Sequence, residues 1–346
     1  MNGPLEIVLE YIDRHWAPIP IPFKEKKPRI TAWQKQRITR ETAGQYFNSA
    51  AQNIGVILGP ASGGLTDIDL DCSEAIGLVS YLLPQTGAIF GRASKRNSHW
   101  LYVTRLAEID DKAAIRYGDP TGAGALLEVR FGGGDKGAQT VFPGSTHEGG
   151  EEIRWECDGD PADVEAASLK KAAARTAAAC LFTRYMPGSG SRHHAFCAIG
   201  GFMGRCGATI PDVRLFADAV CAAGVFDRDH IGSAVDAAEA HRSGKRSYGY
   251  QTIAEIFGEK VAAKSAEWLG YKSGSDGAAY ANGEARDDDL DDLVEATKAD
   301  WTAPLLPEAV KRLAAFKKTI PPDSRRRGHP ARDGTSRAER GLLDLN

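Results

Sequence analysis

The first half of the chain alternates short apolar runs with turns rich in glycine, proline and polar residues. Apolar positions three and four apart over residues 4–15 predict a helix, and residues 74–83 predict another that Pro84 ends. Apolar or alternating runs predict strands at residues 53–59, 65–71, 88–90, 99–103, 125–131 and 140–142. Because helices and strands do not alternate regularly, we expect an α+β domain with a mostly antiparallel sheet.

The second half has a different pattern, dominated by alanine-rich segments with helical spacing. These segments are residues 169–182, 193–206, 211–223 and 230–242, and they are followed by residues 252–257 and a last helix near residues 261–269. They predict a small all-α domain over residues 169–272, after the α+β domain at 1–168. Residues 273–300, rich in Gly, Ala, Ser and Asp, predict a flexible acidic linker, and the basic residues 301–346 predict a largely disordered tail.

One predicted strand carries carboxylates at alternate positions, Asp67, Asp69 and Asp71. Side chains two apart in a strand point to one face, so the acids would form a row. The apolar residues of the run are expected to face the core; they are Leu65, Ile68 and Leu70. Like charges in a row repel and are costly to desolvate, which favours a divalent cation such as Mg²⁺ or Mn²⁺ beside them. A solvated acidic edge strand remains the alternative.

A polar, basic segment follows the acidic strand at residues 91–100 and is predicted to be a loop that leads into a strand. Its hydroxyl and cationic side chains are donors suited to phosphate oxygens; they are Ser94, Lys95, Arg96 and Ser98. His99 stands at the mouth of the next strand and can donate one more hydrogen bond. The alternative for His99 is a histidine satisfied within its own strand.

A third strand places Glu128 and Arg130 on one face. Glu128 could complete a carboxylate triad for a pair of metal ions, and Arg130 could hold a phosphate. A structural ion pair between these two residues is the alternative.

Composition limits the classes of protein that the chain fits. It has 346 residues with a net charge of −3, so only local basic clusters, at residues 24–29 and 95–96, suggest nucleic acid. No run approaches the roughly 20 apolar residues of a membrane span, and the N-terminal residues do not form a signal-peptide pattern. The six cysteines lack any Cys-x-x-Cys pair, which indicates reduced thiols. We therefore expect a cytoplasmic protein with no membrane partner.

Together the motifs resemble the bifunctional primase-polymerase (prim-pol) domain of the archaeo-eukaryotic primase superfamily, in the form found in phages and plasmids. The order is Asp-x-Asp on a strand, a Ser/basic segment that ends in His, and a strand that carries an acid. The resemblance covers residues 5–165. Its flanking residues are Lys27-Pro28 with Trp33, Asn53-Ile-Gly-Val-Ile-Leu-Gly59 with Ser62-Gly-Gly64, and Gln139-Thr-Val-Phe-Pro-Gly-Ser-Thr-His147.

The resemblance implies an RRM-like sheet and a role for each motif residue. The catalytic positions would be Asp69, Asp71, Glu128 and His99, and the three carboxylates would hold two ions of Mg²⁺ or Mn²⁺. Asp67 is an extra acid where the family commonly has an apolar residue, so it is a further candidate metal ligand, and Asp67 with Asp69 is an alternative pair. The nucleotide phosphates would be bound by Ser94, Lys95, Arg96, Ser98, His99 and Arg130.

The implied function is that of a DNA primase-polymerase, a nucleotidyltransferase that uses NTP or dNTP on single-stranded DNA. It would synthesise primers, extend them, or do both by a two-metal mechanism, in replication of a phage, plasmid or integrated element in a bacterial or archaeal cell. Residues 187–207 and 248–257 resemble the helical C-terminal domain of phage primases. The chain has no GxxxxGK[ST] phosphate loop, so we expect any replicative helicase to be a separate partner.

Two other functions remain open from sequence. A metal-dependent nuclease or phosphoesterase would use the same carboxylates and would hydrolyse nucleic acid without added nucleotide. A non-catalytic nucleic-acid-binding replication module would bind its template without regard to Mg²⁺.

Overall fold

The structure is a computed structural model that describes residues 3–48 and 51–271. Its strands are β1 (Ala17–Pro22), β2 (Gln52–Ile57), β3 (Leu65–Leu70), β4 (Ala88–Arg92), β5 (Lys95–Val103), β6 (Ala114–Gly118), β7 (Ala125–Arg130), β8 (Gln139–Val141), β9 (Ile153–Asp158) and β10 (Ala162–Asp163). Its helices are α1 (Pro4–Asp13), α2 (Ala43–Tyr46), α3 (Ser73–Leu82), α4 (Leu106–Ile109), α5 (Ala166–Arg184), α6 (Arg192–Arg205), α7 (Ile210–Gly224), α8 (His230–Arg242), α9 (Tyr250–Phe257) and α10 (Glu259–Leu269). The predicted linker at 273–300 and the basic tail at 301–346 lie outside the described residues.

The strands of the described residues form two sheets. The larger has the order β6-β7-β3-β5-β4-β9 with antiparallel neighbours, and β10 adds a short parallel pairing to β5. The smaller has the antiparallel order β1-β2-β8. The predicted α+β class with a mostly antiparallel sheet is confirmed. Strand β3 lies between β7 and β5, so the acidic strand is central and not an edge.

The two faces of the larger sheet have different partners. Ile68 and Leu70 face the helices, in a hydrophobic cluster that includes residues of α3 and α5. Leu65 does not share that face, contrary to the sequence-based expectation. It packs with Phe90 and Leu101 in a second cluster, beneath the smaller sheet and α1. The reason is the two-residue period of a strand, which puts Leu65 on the same face as Asp67 and Asp69.

The helical half packs against the sheet through α5. This helix is buried along most of its length, and its alanines allow close approach of neighbouring helices. It begins at Ala166, so the predicted domain boundary at residue 168 falls inside it; the division into two domains stays a prediction. Of the helices that the structure describes, none is long and apolar enough to cross a membrane.

The structure corrects the sequence-based elements in two respects. Strands β1, β6, β9 and β10 and the short helix α4 were not predicted. The segment 91–98, predicted to be a loop, is instead largely the hairpin of β4 and β5. A shift of register in this hairpin brings its two strands together at Gly91, where a Cβ atom would lie 2.5 Å from the carbonyl oxygen of Lys95. Only glycine fits that approach without displacement.

Candidate active site

A cavity of about 1220 Å³ opens on the part of the larger sheet that carries the carboxylates. This exceeds the roughly 300–1,000 Å³ that is usual for small-molecule sites, so it has room for a ligand with several charged groups. Eight Lys or Arg side chains and six Asp or Glu side chains line it. The lining is therefore rich in both charges, with cations in excess.

The antiparallel register brings the three sequence motifs together on one sheet face. Asp69 lies directly opposite His99 of β5 on one side and Glu128 of β7 on the other. Directly opposed residues of neighbouring strands have Cβ atoms about 4.5–5.5 Å apart. The carboxylates of Asp69 and Glu128 and the imidazole of His99 thus line one cavity, together with the partly exposed Asp71 just after β3.

Two arginines hold the carboxylate of Glu128. Arg130 donates from Nε to Glu128 Oε2 (2.7 Å) and from Nη2 to Asp69 Oδ2 (2.7 Å). Arg116 of β6 donates from Nε to Glu128 Oε1 (2.6 Å). Burial lowers the pKa of Arg130, but the charges of the surrounding carboxylates outweigh this effect and raise it overall. Both the predicted placement of Glu128 on the Asp69 face and the alternative ion pair with Arg130 are therefore present.

An ammonium group stands between the two aspartates of the cavity. Lys95 Nζ lies 3.6 Å from Asp69 Oδ1 and 3.4 Å from Asp71 Oδ1. Burial raises the pKa of Asp69, but the positive charges of His99, Arg130 and Lys95 outweigh burial and lower it overall. Burial, and then the charge of Asp69, raise the pKa of Asp71. The two acids therefore repel each other and are stabilised by a cation.

One carboxylate oxygen of this pair lacks a hydrogen bond. Asp69 Oδ1 is buried and accepts none from the residues that the structure describes. A divalent cation beside Asp69 and Asp71 would satisfy it, so these two residues fit a metal ion. Glu128 does not fit in the same arrangement, since both of its oxygens accept from arginines. Within residues 3–48 and 51–271, no group of three or more acids, histidines or cysteines is arranged to hold a metal.

Comparison with known proteins identifies the family of this sheet and its site. The family model described as bifunctional DNA primase/polymerase, N-terminal (Prim-Pol), matches residues 8–168. Residues 8–168 are a Prim-Pol domain. No curated protein matched the chain. The family supports primase or polymerase activity in general, implies DNA and nucleotides as substrates, and is generally dependent on divalent metal. The likeness of the helical region to a C-terminal primase domain stays a prediction.

The Prim-Pol hairpin directs only some of its predicted phosphate ligands toward the cavity. Lys95, Ser98 and His99 line it. Ser94 donates to Glu151 from both its hydroxyl (2.6 Å) and its backbone N–H (2.7 Å). Arg96 forms a two-pronged ion pair with Glu156 of β9. Neither Ser94 nor Arg96 is among the described residues of the cavity lining. Their role as nucleotide ligands stays a prediction that this arrangement does not favour.

The third acid of the row, Asp67, has a different environment. It is fully buried, and it is not one of the residues that line the cavity in the described part of the Prim-Pol domain. Its carboxylate accepts from Thr140 Oγ1 (2.7 Å) and lies within hydrogen-bond distance of His99 Nδ1 (3.1 Å). Asp67 is therefore held by protein donors, and Asp69 with Asp71 is the pair that lines the cavity.

Several lining residues were not found by sequence reasoning. Arg116, Lys112 and Lys136 line the cavity from β6 and from the turns beside β6 and β8. A signal for Arg116 exists, because Ile115 and Tyr117 flank it in an alternating apolar pattern that predicts a strand with Arg116 on the opposite face. The two lysines lie in turns, where no periodic pattern indicates their direction.

Proposed function

We propose that the protein is a DNA primase-polymerase, which transfers nucleotides to a growing strand on a single-stranded DNA template. The observation that carries this proposal is the pair Asp69 and Asp71, with an unsatisfied buried oxygen, in a cavity lined by eight cationic side chains. Membership of residues 8–168 in the Prim-Pol family supports it. A site with an acidic pair among cations suits the binding of a metal ion together with a polyphosphate.

Asp69 and Asp71 are the residues that would hold divalent cations, Mg²⁺ or Mn²⁺. Bound there, such cations would neutralise the triphosphate and lower the pKa of the attacking 3′-hydroxyl. In the structure, the ammonium group of Lys95 neutralises the two aspartates. We propose that Lys95 turns to a phosphate oxygen when the aspartates bind a cation, since its flexible stem lets the ammonium change partners.

The remaining lining cations would bind the triphosphate. Lys112, Lys136 and Arg116 stand on the side of the cavity formed by β6 and the turns. The Arg116 side chain is 84 % exposed, so its ion pair with Glu128 contributes little and can be exchanged for a phosphate. That exchange would release one oxygen of Glu128 and would let Glu128 act as the third carboxylate of the site.

The template would approach from the side of the loop after β1. Lys26 and Lys27 line the cavity there, and two hydrogen bonds hold the loop backbone: Asn53 Nδ2 donates to Glu25 O (3.0 Å) and Gln139 Nε2 donates to Lys26 O (2.8 Å). Cationic side chains on a loop whose backbone is fixed by hydrogen bonds suit contact with a phosphodiester backbone. Because such contacts release counterions from the DNA, the affinity for DNA is expected to fall as the salt concentration rises. The replication context, a separate helicase and the cytoplasmic location stay predictions.

The test is incorporation of labelled NTP or dNTP on single-stranded DNA, with and without a primer and with Mg²⁺, Mn²⁺ or chelator. We expect metal-dependent products longer than the primer, or new primers without one. Shortening of the DNA in the absence of nucleotide would indicate a nuclease instead. Binding of DNA that is insensitive to metal, with no product under any condition, would indicate a non-catalytic module.

A further inference from the structure

Asp67 is the one residue of the acidic row that the proposed chemistry leaves without a role. It is 0 % exposed, whereas Asp69 and Asp71 of the same row line the cavity. A buried carboxylate is strongly unfavourable unless donors or cations surround it. The side chains around Asp67 therefore indicate what it does.

Donors from three strands converge on the Asp67 carboxylate. Thr140 of β8 donates from Oγ1 to Oδ2 (2.7 Å). His99 of β5 places Nδ1 at 3.2 Å from Oδ1 and 3.1 Å from Oδ2. Arg130 of β7 brings Nη1 to 3.6 Å from Oδ2. The carboxylate is thus enclosed by protein groups, which argues for a structural effect on one of these partners and against direct contact with substrate.

His99 is the partner that faces the cavity. Its Nδ1 hydrogen-bonds to a carboxylate, which only accepts, so Nδ1 carries a proton. The imidazole also stacks on Phe90, with ring centroids 4.5 Å apart and planes 10° apart. These two contacts fix the ring plane and its direction. Nε2 is then the nitrogen on the cavity side, 3.7 Å from Asp69 Oδ1.

We propose that Asp67 is a positioning residue: it accepts from Nδ1–H of His99 and fixes the orientation of the ring, so that Nε2–H of the doubly protonated ring donates to a phosphate oxygen of the nucleotide. Asp67 itself touches neither nucleotide nor metal. When the ring is protonated, Nε2–H donates from a position that is set before the nucleotide arrives. This inference rests on the proposed function, because the phosphate is that of the proposed substrate.

The first test is NMR of ¹⁵N-labelled histidines in the nucleotide-free protein, at a pH where His99 is neutral. His99→Ala assigns the signal. We expect the proton on Nδ1 in the wild type and in Asp67→Asn, whose amide oxygen still accepts from Nδ1–H. Asp67→Val, similar in size and suited to a strand, offers no acceptor, so we expect the proton on Nε2. An unchanged Nδ1–H form in Asp67→Val would overturn the proposal.

The second test separates positioning from other roles by kinetics. We expect the nucleotide KM to rise about tenfold in Asp67→Val, a typical effect of losing a residue that orients a functional group, and much less in Asp67→Asn. The metal concentration for half-maximal activity should not change. A large increase in that metal concentration would instead indicate that Asp67 is a metal ligand. An equal rise of the nucleotide KM in Asp67→Asn and Asp67→Val would indicate that its charge is essential, and either result would overturn the proposal.

A double-mutant cycle with His99→Ala completes the test. If Asp67 acts through His99, Asp67→Val causes no further rise of the nucleotide KM in the His99→Ala background. Additive effects of the two substitutions on KM would contradict this. Thr140→Val is the matched control, because it removes another donor to Asp67 and leaves the contact with His99. Thermal unfolding of each variant identifies failure to fold. If the wild type incorporates no nucleotide, the proposed function fails, and the NMR result still decides whether Asp67 orients His99.

Discussion

Asp69 and Glu128 face each other across neighbouring antiparallel strands, and the single guanidinium of Arg130 hydrogen-bonds to both carboxylates. This arrangement neutralises two acids that would repel each other in an empty site. It also leaves Asp69 Oδ1 without a hydrogen bond from any described residue. The carboxylates are thus held in place by protein cations, and under the proposed function these cations would change partners when metal and nucleotide bind.

Lys95→Met should affect metal and nucleotide in opposite directions. Removal of the ammonium that stands beside Asp69 and Asp71 should tighten Mn²⁺ binding in the nucleotide-free protein by about fivefold, since a partly exposed ion pair is worth about 1 kcal/mol. The same change should raise the nucleotide KM, because a phosphate partner is lost. Titration calorimetry with Mn²⁺ and steady-state kinetics measure the two effects. Lys264→Met, which breaks a surface pair with Glu267, is the control; unchanged or weaker Mn²⁺ binding in Lys95→Met would contradict the account.

Much of this site was predictable from sequence because strand geometry is local. The two-residue period placed Asp69 and Asp71 on one face, and the same rule placed Glu128 with Arg130. The helices were predictable for a similar reason. Long alanine-rich segments have few alternatives to a helix, and α5 to α8 occur within a few residues of their predicted positions.

The partners of the β4–β5 hairpin could not be predicted, because they depend on contacts between distant parts of the chain. Ser94 and Arg96 have the chemistry of phosphate ligands, but Glu151 and Glu156, nearly 60 residues later, accept their hydrogen bonds. The burial of Asp67 depends likewise on Thr140 of the smaller sheet. A local pattern indicates which face a side chain takes and does not indicate which element covers that face.

Lys27→Ala should weaken binding of single-stranded DNA through a purely electrostatic effect. Lys27 lines the cavity beside the loop after β1. Loss of one phosphate contact should reduce the slope of log affinity against log salt concentration by about 0.7. Fluorescence anisotropy at several salt concentrations measures the slope, with Lys264→Ala as the control. If the two variants give the same slope, DNA does not take this path.

Gly59→Ala should destabilise the fold strongly, because Gly59 lies where the two sheets meet. Its φ of 75° and ψ of −142° suit glycine alone, and a Cβ would collide with the carbonyl oxygen of Phe131. We expect the free energy of unfolding to fall by about 3 kcal/mol. Gly63→Ala is the matched control, because the φ of Gly63 (65°) also lies in the left-handed region but no described atom lies within 4 Å of an added Cβ. For this variant we expect the free energy of unfolding to fall by about 1 kcal/mol. Urea unfolding compares them, and equal losses would show that the close approach is unimportant.

Glu74→Gln should remove a pH-dependent link between α3 and α5. Arg184 donates to both oxygens of Glu74 (2.9 and 3.1 Å), and chiefly this interaction lowers the pKa of Glu74 to about 2. The ionised pair therefore stabilises the fold above the ordinary pKa of 4.5, and this stability is lost as pH falls toward 2. We expect a loss of about 2 kcal/mol near neutral pH, allowing for partial solvent exposure.

The stability difference between wild type and Glu74→Gln should shrink when unfolding is measured from pH 5 down to pH 2. Glu239→Gln, on the exposed surface of α8, is the control and should change little. A difference that is constant with pH would mean that the charge of Glu74 is not what joins the two helices.

Nucleotide incorporation by Asp71→Asn most directly tests whether this cavity is the site of nucleotidyl transfer. The change keeps the shape of the side chain and removes the negative charge with which, in our proposal, Asp71 binds the metal ion. With primed and unprimed single-stranded DNA and saturating Mg²⁺ or Mn²⁺, we expect the incorporation rate of Asp71→Asn to fall at least about 100-fold, with unchanged thermal unfolding. The control is Asp218→Asn, which breaks a pair with Arg228 and should keep the wild-type incorporation rate. Incorporation by Asp71→Asn at the wild-type rate would contradict the account.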